Sequence, residues 1–209
     1  MEQIINRLKN ALTKALPGIE AQYRMAPLHR QRMELETLKI EDYRPSAVMI
    51  LLCEDENGNG FIPLTERMTY NGAHSGQVSL PGGKFEADDG DLMNTAIREC
   101  YEEIGIREVE VIGKLTPLFI PVSGFIVHPY IGLCKIKNPV MKNHEREVKT
   151  LIKLSLEDLL NDAIVKQGEM QVMNTLNIKT PWFEVEGLKV WGATAMILSE
   201  LKDVIKSIS

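Results

Sequence analysis

The chain of 209 residues has no excess of positive charge and no apolar run long enough to cross a membrane. Its formal net charge is -5 at pH 7, so it lacks the basic field with which nucleic-acid-binding proteins attract a polyanion. A membrane-spanning helix needs roughly 20 consecutive apolar residues, and no segment reaches that length. The composition therefore predicts a protein whose partners are neither nucleic acids nor membranes.

Cysteine is also scarce. Cys53, Cys100 and Cys134 each lie in an apolar stretch, and no cysteine or histidine pair has the close spacing of a zinc site. An odd and scattered set of this kind is typical of reduced thiols in a protein core. We therefore expect a cytoplasmic protein without disulfides.

No linker, charge block or internal repeat divides the chain, and 44% of its residues are hydrophobic, which is enough for a sizeable core. Residues 1–16 carry apolar side chains at helical spacing, which favours an amphipathic helix over a signal peptide. The sequence leaves the oligomeric state open, with a homodimer as one option.

The hydrophobic pattern predicts strands interspersed with helices. The apolar run at residues 47–53 predicts a buried strand, and a turn at residues 55–60 leads into a second strand, so the two form a hairpin. Further strands are predicted over residues 77–80, 109–118 and 126–136, and helices over residues 92–104, 156–160 and 193–208. This order implies an α+β fold in layers around a mixed β-sheet.

The most informative segment is the predicted helix that ends in R-E-C-Y-E-E-I-G-I. Glu99, Glu102 and Glu103 share one face of this helix because their spacing is i, i+3, i+4. Like charges at this spacing destabilise a helix by roughly a few tenths of a kcal/mol per pair, a cost that a bound divalent cation would remove. The spacing alone favours a solvated acidic face, because exposed glutamate-rich helices are common.

The flanking residues favour a metal site. Pro81–Gly83 precedes the helix, and a glycine turn there can bring backbone carbonyl groups toward the acidic face. Asp88, Asp89 or Asp91 can cap the amino end of the helix, and Gly105 supplies a stop at its carboxyl end.

From Gly83 to Ile106 the chain resembles the Nudix box, G-x5-E-x7-R-E-U-x-E-E-x-G-U, in which U is a bulky apolar residue. The half that begins at Arg98 matches position by position, with Cys100 at an apolar position. The first acidic position falls on Asp89 rather than on a glutamate, and eight residues rather than seven separate it from the arginine. In the family this arginine orients a carboxylate of the acidic cluster.

The resemblance implies the Nudix fold, an α/β/α sandwich with a mixed β-sheet, and a hydrolase that acts on a diphosphate. It implies Mg²⁺ or Mn²⁺ as the cofactor, because a divalent cation neutralises the phosphates and lowers the pKa of the attacking water. Glu99, Glu102 and Glu103 would be the metal ligands, together with the carbonyl of Gly83. The general base would be Glu103 or Glu147, and Glu147 fits an exposed residue of a charged segment equally well.

A second resemblance, upstream of the box, is to the coenzyme A diphosphatases of this family. Residues 63–67 (P-L-T-E-R) and 74–83 (H-S-G-Q-V-S-L-P-G-G) are similar to the patterns L-L-T-x-R and H-x-G-x-V-x-F-P-G-G. It implies cleavage of coenzyme A or acyl-CoA to 3′,5′-ADP and (acyl-)4′-phosphopantetheine. Arg67, His74 and Ser123 would contact this substrate.

The resemblance runs, with gaps, from Arg44 to Leu201, which predicts a Nudix domain over residues 44–209 and an N-terminal helical extension over residues 1–43. Two alternatives remain within the family. One is a hydrolase of another nucleoside diphosphate derivative, such as ADP-ribose or a dinucleotide. The other is a Nudix module that binds a nucleotide without cleaving it.

Overall fold

The computed structural model describes residues 2–32, 43–68, 76–172 and 176–208. The helices of these segments are α1 (Glu2–Ala11), α2 (Gly18–Tyr23), α3 (Leu92–Ile104), α4 (Leu156–Leu160) and α5 (Gly192–Lys206). The strands are β1 (Arg44–Glu54), β2 (Gly60–Arg67), β3 (Val78–Ser79), β4 (Gly82–Lys84), β5 (Val109–Lys114), β6 (Leu118–Ile120), β7 (Phe125–Cys134), β8 (Val148–Ser155), β9 (Val165–Val172), β10 (Leu176–Val185) and β11 (Leu188–Trp191).

Strand β1 is central to the larger sheet, which is mixed and contains eight strands within the described segments. It pairs in parallel with β7 and antiparallel with β2 and β4. Met49 and Leu51 pack in the cluster beneath α3, whereas Ile50 and Leu52 belong to the cluster beneath α5. Because both faces of β1 are buried, the strand needs the continuous apolar run that predicted it.

Helix α3 covers one face of this sheet, and α5 and α2 cover the other. Cys100 and Ile104 of α3 are buried against β1, and Leu198 and Leu201 of α5 are buried in the opposite cluster. This arrangement confirms the predicted α/β/α sandwich. No helix of the described residues is long and apolar enough to span a membrane.

Helices α1 and α2 pack on the same core as α5. Leu8 of α1 is fully buried, and the hydroxyl of Ser199 donates to the carbonyl of Ala21 at 2.7 Å. The amphipathic helix expected in residues 1–16 is therefore observed, although it ends at Ala11. The division of the chain between residues 43 and 44 stays a prediction.

Strands β9, β10 and β11 form a three-stranded antiparallel sheet that the sequence analysis missed. Strand β9 reads V-K-Q-G-E-M-Q-V and lacks the apolar alternation on which a strand prediction depends. The single strand predicted over residues 109–118 was also wrong. It consists of β5 and β6, and Pro117, which has no N–H donor, lies in the break between them.

Candidate functional site

Gly82 and Gly83 form β4 with the following lysine and lie in close contact with their neighbours. A Cβ atom on Gly82 would lie 2.5 Å from the carbonyl oxygen of Ala47, and one on Gly83 would lie 2.3 Å from Oε1 of Glu99. Neither glycine has a positive φ, so close approach rather than backbone conformation explains why they are glycines. The carboxylate of Glu99 therefore lies directly against the main chain of Gly83.

The ends of α3 are capped as the sequence predicts. The side chain of Asp91 accepts a hydrogen bond from the N–H of Asn94 at 2.7 Å. At the other end Gly105 adopts a left-handed φ of 78°, and its N–H donates to the carbonyl of Tyr101. These caps set the length of α3 and thereby the position of its three glutamates.

Glu103 is the most deeply buried of those glutamates, at 2% exposed. The hydroxyl of Thr65 donates to its Oε2 at 3.3 Å, and Nη1 of Arg67 lies 3.8 Å from its Oε1. Burial raises the pKa of Glu103 to about 7. The charges of Glu99 and Glu147 act in the same direction, whereas Arg67 opposes the shift.

Glu99 and Glu102 have different surroundings from Glu103. Burial raises the pKa of Glu99, an effect that Arg98 opposes and that the charges of Glu102 and Glu147 strengthen. The side chain of Glu102 is 51% exposed. The three carboxylates on one side of α3 therefore differ in burial. One lies against the sheet, one lies over β4, and one is exposed to solvent.

Arg98 connects this cluster to the segment before α3. Its Nη1 donates to Glu99 at 2.8 Å and to Glu102 at 3.0 Å, while its Nε donates to Asp89 at 2.7 Å. Asp89 also accepts from the hydroxyl of Thr95 at 2.8 Å, and Arg98 holds the pKa of Asp89 well below its usual range. The orienting role expected of Arg98 is observed, with Asp89 as its anchor.

Glu147 reaches the cluster through the loop before β8. The N–H of His144 donates to the carbonyl of Glu103 at 3.2 Å, and the carbonyl of Glu147 accepts from the N–H of Met68 at 2.9 Å. Glu147 is exposed, and its charge raises the pKa of both Glu99 and Glu103. The structure therefore brings Glu147 into the electrostatic neighbourhood of Glu99 and Glu103.

One predicted substrate residue, Ser123, is not part of this cluster. Ser123 lies in the turn between β6 and β7, where its carbonyl accepts from Nη2 of Arg44 at 2.6 Å. Arg44 precedes Ala47, the pairing partner of Gly83, by three residues, which corresponds to about 10 Å along a strand. His74 lies outside the described residues.

Thr65 is a member of the cluster that sequence reasoning missed. It is fully buried and donates to Glu103. The sequence could have indicated Thr65, because Thr65 and Arg67 are two residues apart on β2. Side chains at this spacing point to one face of a strand.

The donor atoms fit a hard divalent cation. Carboxylate oxygens are ligands that such ions prefer; Glu99 and Glu103 are close enough for their charges to interact, and Glu99 lies against the main chain of Gly83. Among the described residues, no three acidic, histidine or cysteine side chains converge as a closed metal site. In this arrangement Arg98 binds the carboxylates of both Glu99 and Glu102.

Residues 43–174 match the family model of the NUDIX domain, which covers more than half of the chain. The chain belongs to the Nudix family. This Nudix protein is 34% identical, over 164 residues, to the Nudix hydrolase NudL of Yersinia pestis (strain Pestoides F) and to that of Yersinia pseudotuberculosis serotype O:1b (strain IP 31758). Each match covers 76% of this chain and 78% of the relative.

Solved structures confirm the Nudix fold. The MutT/nudix family protein from Enterococcus faecalis matches with a TM-score of 0.53 at 16% identity, over 92% of this chain and 76% of that chain. The MutT protein from Methanosarcina mazei Go1 matches with a TM-score of 0.50 at 19% identity, over 79% of this chain and 96% of that chain. This Nudix protein is accordingly a hydrolase of diphosphate-containing substrates, in a family that generally uses divalent metal ions.

Proposed function

We propose that this Nudix hydrolase cleaves the diphosphate of coenzyme A or acyl-CoA to 3′,5′-ADP and (acyl-)4′-phosphopantetheine. The observation that supports the chemistry most directly is the juxtaposition of a partly buried and a buried carboxylate, Glu99 against Gly83 and Glu103 against Thr65. The substrate rests on the resemblance of residues 63–67 and 74–83 to coenzyme A diphosphatases.

We propose Glu99, Glu103 and the carbonyl of Gly83 as ligands of Mg²⁺ or Mn²⁺, with Glu102 as the outermost ligand. When bound, the cation supplies neutralisation of the diphosphate charge and a lower pKa for the attacking water. Arg98 holds two of these carboxylates in place through its guanidinium, so that their positions are set before substrate arrives.

Of the two candidates for the general base, we favour Glu147. A general base must reach the water whose proton it accepts, either directly or through one further water. The carboxylate of Glu103 is already engaged by Thr65 and lies beside Arg67, whereas the side chain of Glu147 is exposed and its charge acts on Glu103. Glu103 then serves as a ligand, and Glu147 accepts the proton.

Arg67 is our proposed contact for the scissile diphosphate. Its guanidinium lies 3.8 Å from Glu103, and a planar fork of donors matches phosphate oxygens. His74 is proposed as a second hydrogen-bond donor to the phosphates, and Ser123 as a contact on a more distant part of the substrate.

We also propose a cytoplasmic location, which is supported by the three free cysteines, Cys53, Cys100 and Cys134, because disulfides are rare in that compartment. The proposed partner is a small nucleotide rather than a nucleic acid, in keeping with the net charge of -5.

A turnover panel tests the proposal. Coenzyme A, acetyl-CoA, ADP-ribose, a diadenosine polyphosphate and ATP are each incubated with the protein and Mg²⁺ or Mn²⁺, and the products are separated by chromatography. We expect coenzyme A to give 3′,5′-ADP and 4′-phosphopantetheine without free orthophosphate, and we expect chelator to stop turnover until metal is restored. A preference for ADP-ribose would overturn the substrate, and nucleotide binding without any turnover would indicate a binding module.

A further inference from the structure

Strands β1 and β7 place two cysteines side by side at the end of their parallel pairing. Leu52 is paired with Leu133, so the next residues along the two strands, Cys53 and Cys134, are neighbours in the same register. Adjacent strands lie about 4.8 Å apart, which falls within the Cα separation of about 4.4–6.8 Å that a disulfide spans. The backbone therefore holds these two cysteines at a separation that a disulfide can bridge.

Both cysteine side chains lie on the face of the sheet that α3 covers. Met49, Leu51 and Cys53 alternate along β1 and are buried in the cluster beneath α3, and Cys134 packs against the same cluster. The thiol of Cys53 is a hydrogen-bond partner of Cys134. Because the two sulfur atoms share a face and interact directly, they can join without a change in strand register.

The two thiols differ in access and in acidity. Cys53 is 1% exposed, whereas Cys134 is partly exposed and is the last residue of β7. Their hydrogen bond lowers the pKa of Cys134 to about 7 and raises the pKa of Cys53. A thiolate is the form that reacts with peroxides, so Cys134 is the cysteine that such an oxidant attacks first.

The third cysteine has neither property. Cys100 of α3 is fully buried, and burial raises its pKa to about 12. It belongs to the same apolar cluster as Cys53, but it lies on a helix rather than on a paired strand. Cys100 is therefore a matched control for the two strand cysteines.

We propose that Cys134 and Cys53 form a redox pair, in which a peroxide oxidises Cys134 and Cys53 then closes a reversible disulfide between β7 and β1. The thiolate of Cys134 attacks one oxygen of hydrogen peroxide, the O–O bond breaks, and a sulfenic acid forms while the other oxygen leaves as hydroxide. The sulfur of Cys53 then attacks the sulfenic sulfur. The S–O bond breaks, and the hydroxyl group leaves with the Cys53 proton as water. The two sulfur atoms lose two electrons in total, and these reduce the peroxide.

The pair would protect the layer that supports α3. Without a second thiol, the sulfenic acid of Cys134 can be oxidised further to a sulfinic acid, which is irreversible for most proteins and places a charged group against the apolar cluster. A disulfide stops the oxidation at a state that a thiol reductant reverses. Disulfides of this transient kind occur in reducing compartments, and the inference does not depend on which diphosphate the protein cleaves.

The test follows the covalent state of the native protein after a pulse of hydrogen peroxide. Free thiols are alkylated, and the non-reduced digest is analysed by mass spectrometry. We expect the wild type and Cys100→Ala to give peptides joined through Cys53 and Cys134, which dithiothreitol separates. Cys134→Ser should form no disulfide. Cys53→Ala should label several-fold more strongly than the wild type with dimedone, a reagent for sulfenic acid, and should then accumulate sulfinic acid at Cys134.

Thermal unfolding shows whether the native strands accommodate the bond. A disulfide that closes a loop of about 80 residues constrains the unfolded chain, so the oxidised wild type should melt about 5 °C or more above the reduced protein. Cys134→Ser should show no such rise, and circular dichroism of each reduced variant checks that it is folded. A disulfide to Cys100 or between two molecules, sulfinic acid in the wild type without a disulfide, or no reaction with peroxide would overturn the proposal. A disulfide that lowers the melting temperature would overturn it as well, because the strands would then have to move apart from their native pairing.

Discussion

Two neighbouring glutamates of α3 have the same side chain but differ in their exposure to solvent and in their hydrogen-bond partners. Glu102 and Glu103 are consecutive, yet one carboxylate is half exposed and bonded to Arg98, while the other is buried against Thr65. The difference arises because adjacent residues lie about 100° apart around a helix. Sequence spacing grouped the two residues correctly on one side of α3 but could not rank their burial, which depends on the strands packed beneath.

The pair offers a matched experiment. Glu103→Gln should lower turnover about 10²-fold or more, because it removes a charge from the buried site that is proposed to bind metal. Glu102→Gln, at the exposed position, should lower turnover by a smaller factor. Steady-state kinetics with Mg²⁺ and a thermal melt of each variant measure the two effects. Equal losses in both variants, at unchanged melting temperature, would contradict the ranking that burial implies.

Arg67 is expected to affect all candidate substrates alike. Because Arg67 lies beside Glu103, we propose that it contacts the diphosphate that all candidate substrates share, rather than a group peculiar to one of them. Arg67→Met should therefore lower kcat/KM for coenzyme A and for dephospho-coenzyme A to a similar extent, by about tenfold or more. A loss confined to coenzyme A would instead assign the 3′-phosphate to Arg67.

At the scale of single elements, α3 was the most predictable part of the fold. Its bounds, Leu92–Ile104, agree with the predicted residues 92–104 because the signals for them are local: Asp91 as the cap, Gly105 as the stop and the apolar period between. The sheet β9–β11 could not be predicted in this way. Its strands depend on pairing partners and on contact with α5, and neither leaves a regular pattern in the sequence.

Alanine substitutions at the two adjacent glycines of β4 should have different effects, one on stability and the other on activity. A Cβ on Gly82 would collide with the backbone of Ala47 and Val48, which cannot move cheaply, whereas one on Gly83 would meet only the end of the Glu99 side chain. Gly82→Ala should therefore lower the melting temperature markedly, by the equivalent of roughly 1–3 kcal/mol. Gly83→Ala should nearly retain the melting temperature but lose most activity, because Glu99 must leave its position.

Calorimetry measures the melting temperatures of the two alanine variants, and steady-state kinetics measure their activities. Gly168→Ala in β9 is a suitable control, since its Cβ would approach only the ring of Trp182, at 3.2 Å, and it lies in the other sheet. Full activity in Gly83→Ala would show that the position of Glu99 over β4 is dispensable for catalysis.

At the scale of the whole molecule, Glu200 joins parts of the chain that are far apart in sequence. It is fully buried in α5 and accepts hydrogen bonds from the N–H of Gly18 at 3.1 Å, from Nε2 of Gln22 at 2.8 Å and from the hydroxyl of Thr116 at 2.6 Å. A buried carboxylate with this many donors is stabilising, because each hydrogen bond to a charged group is strong and the donors would otherwise be unsatisfied. No local pattern in the sequence indicates this network, since its members are brought together only by the packing of α2, and of the loop between β5 and β6, on α5.

Replacement of Glu200 should lower the stability of the protein without changing its catalytic activity. Glu200→Gln keeps the shape but removes the charge and points an amide donor at groups that are themselves donors, so the free energy of unfolding should fall by about 1–3 kcal/mol. In a chain of this size that corresponds to a decrease in melting temperature of about 2–4 °C per kcal/mol. Below the transition kcat/KM should be unchanged, because Glu200 lies in the layer opposite α3 and its carboxylates. Glu184→Gln, on the exposed side of β10, is the control and should alter neither quantity. If Glu200→Gln lowered kcat/KM at full stability, the N-terminal helices would be coupled to the catalytic face rather than only anchored to α5.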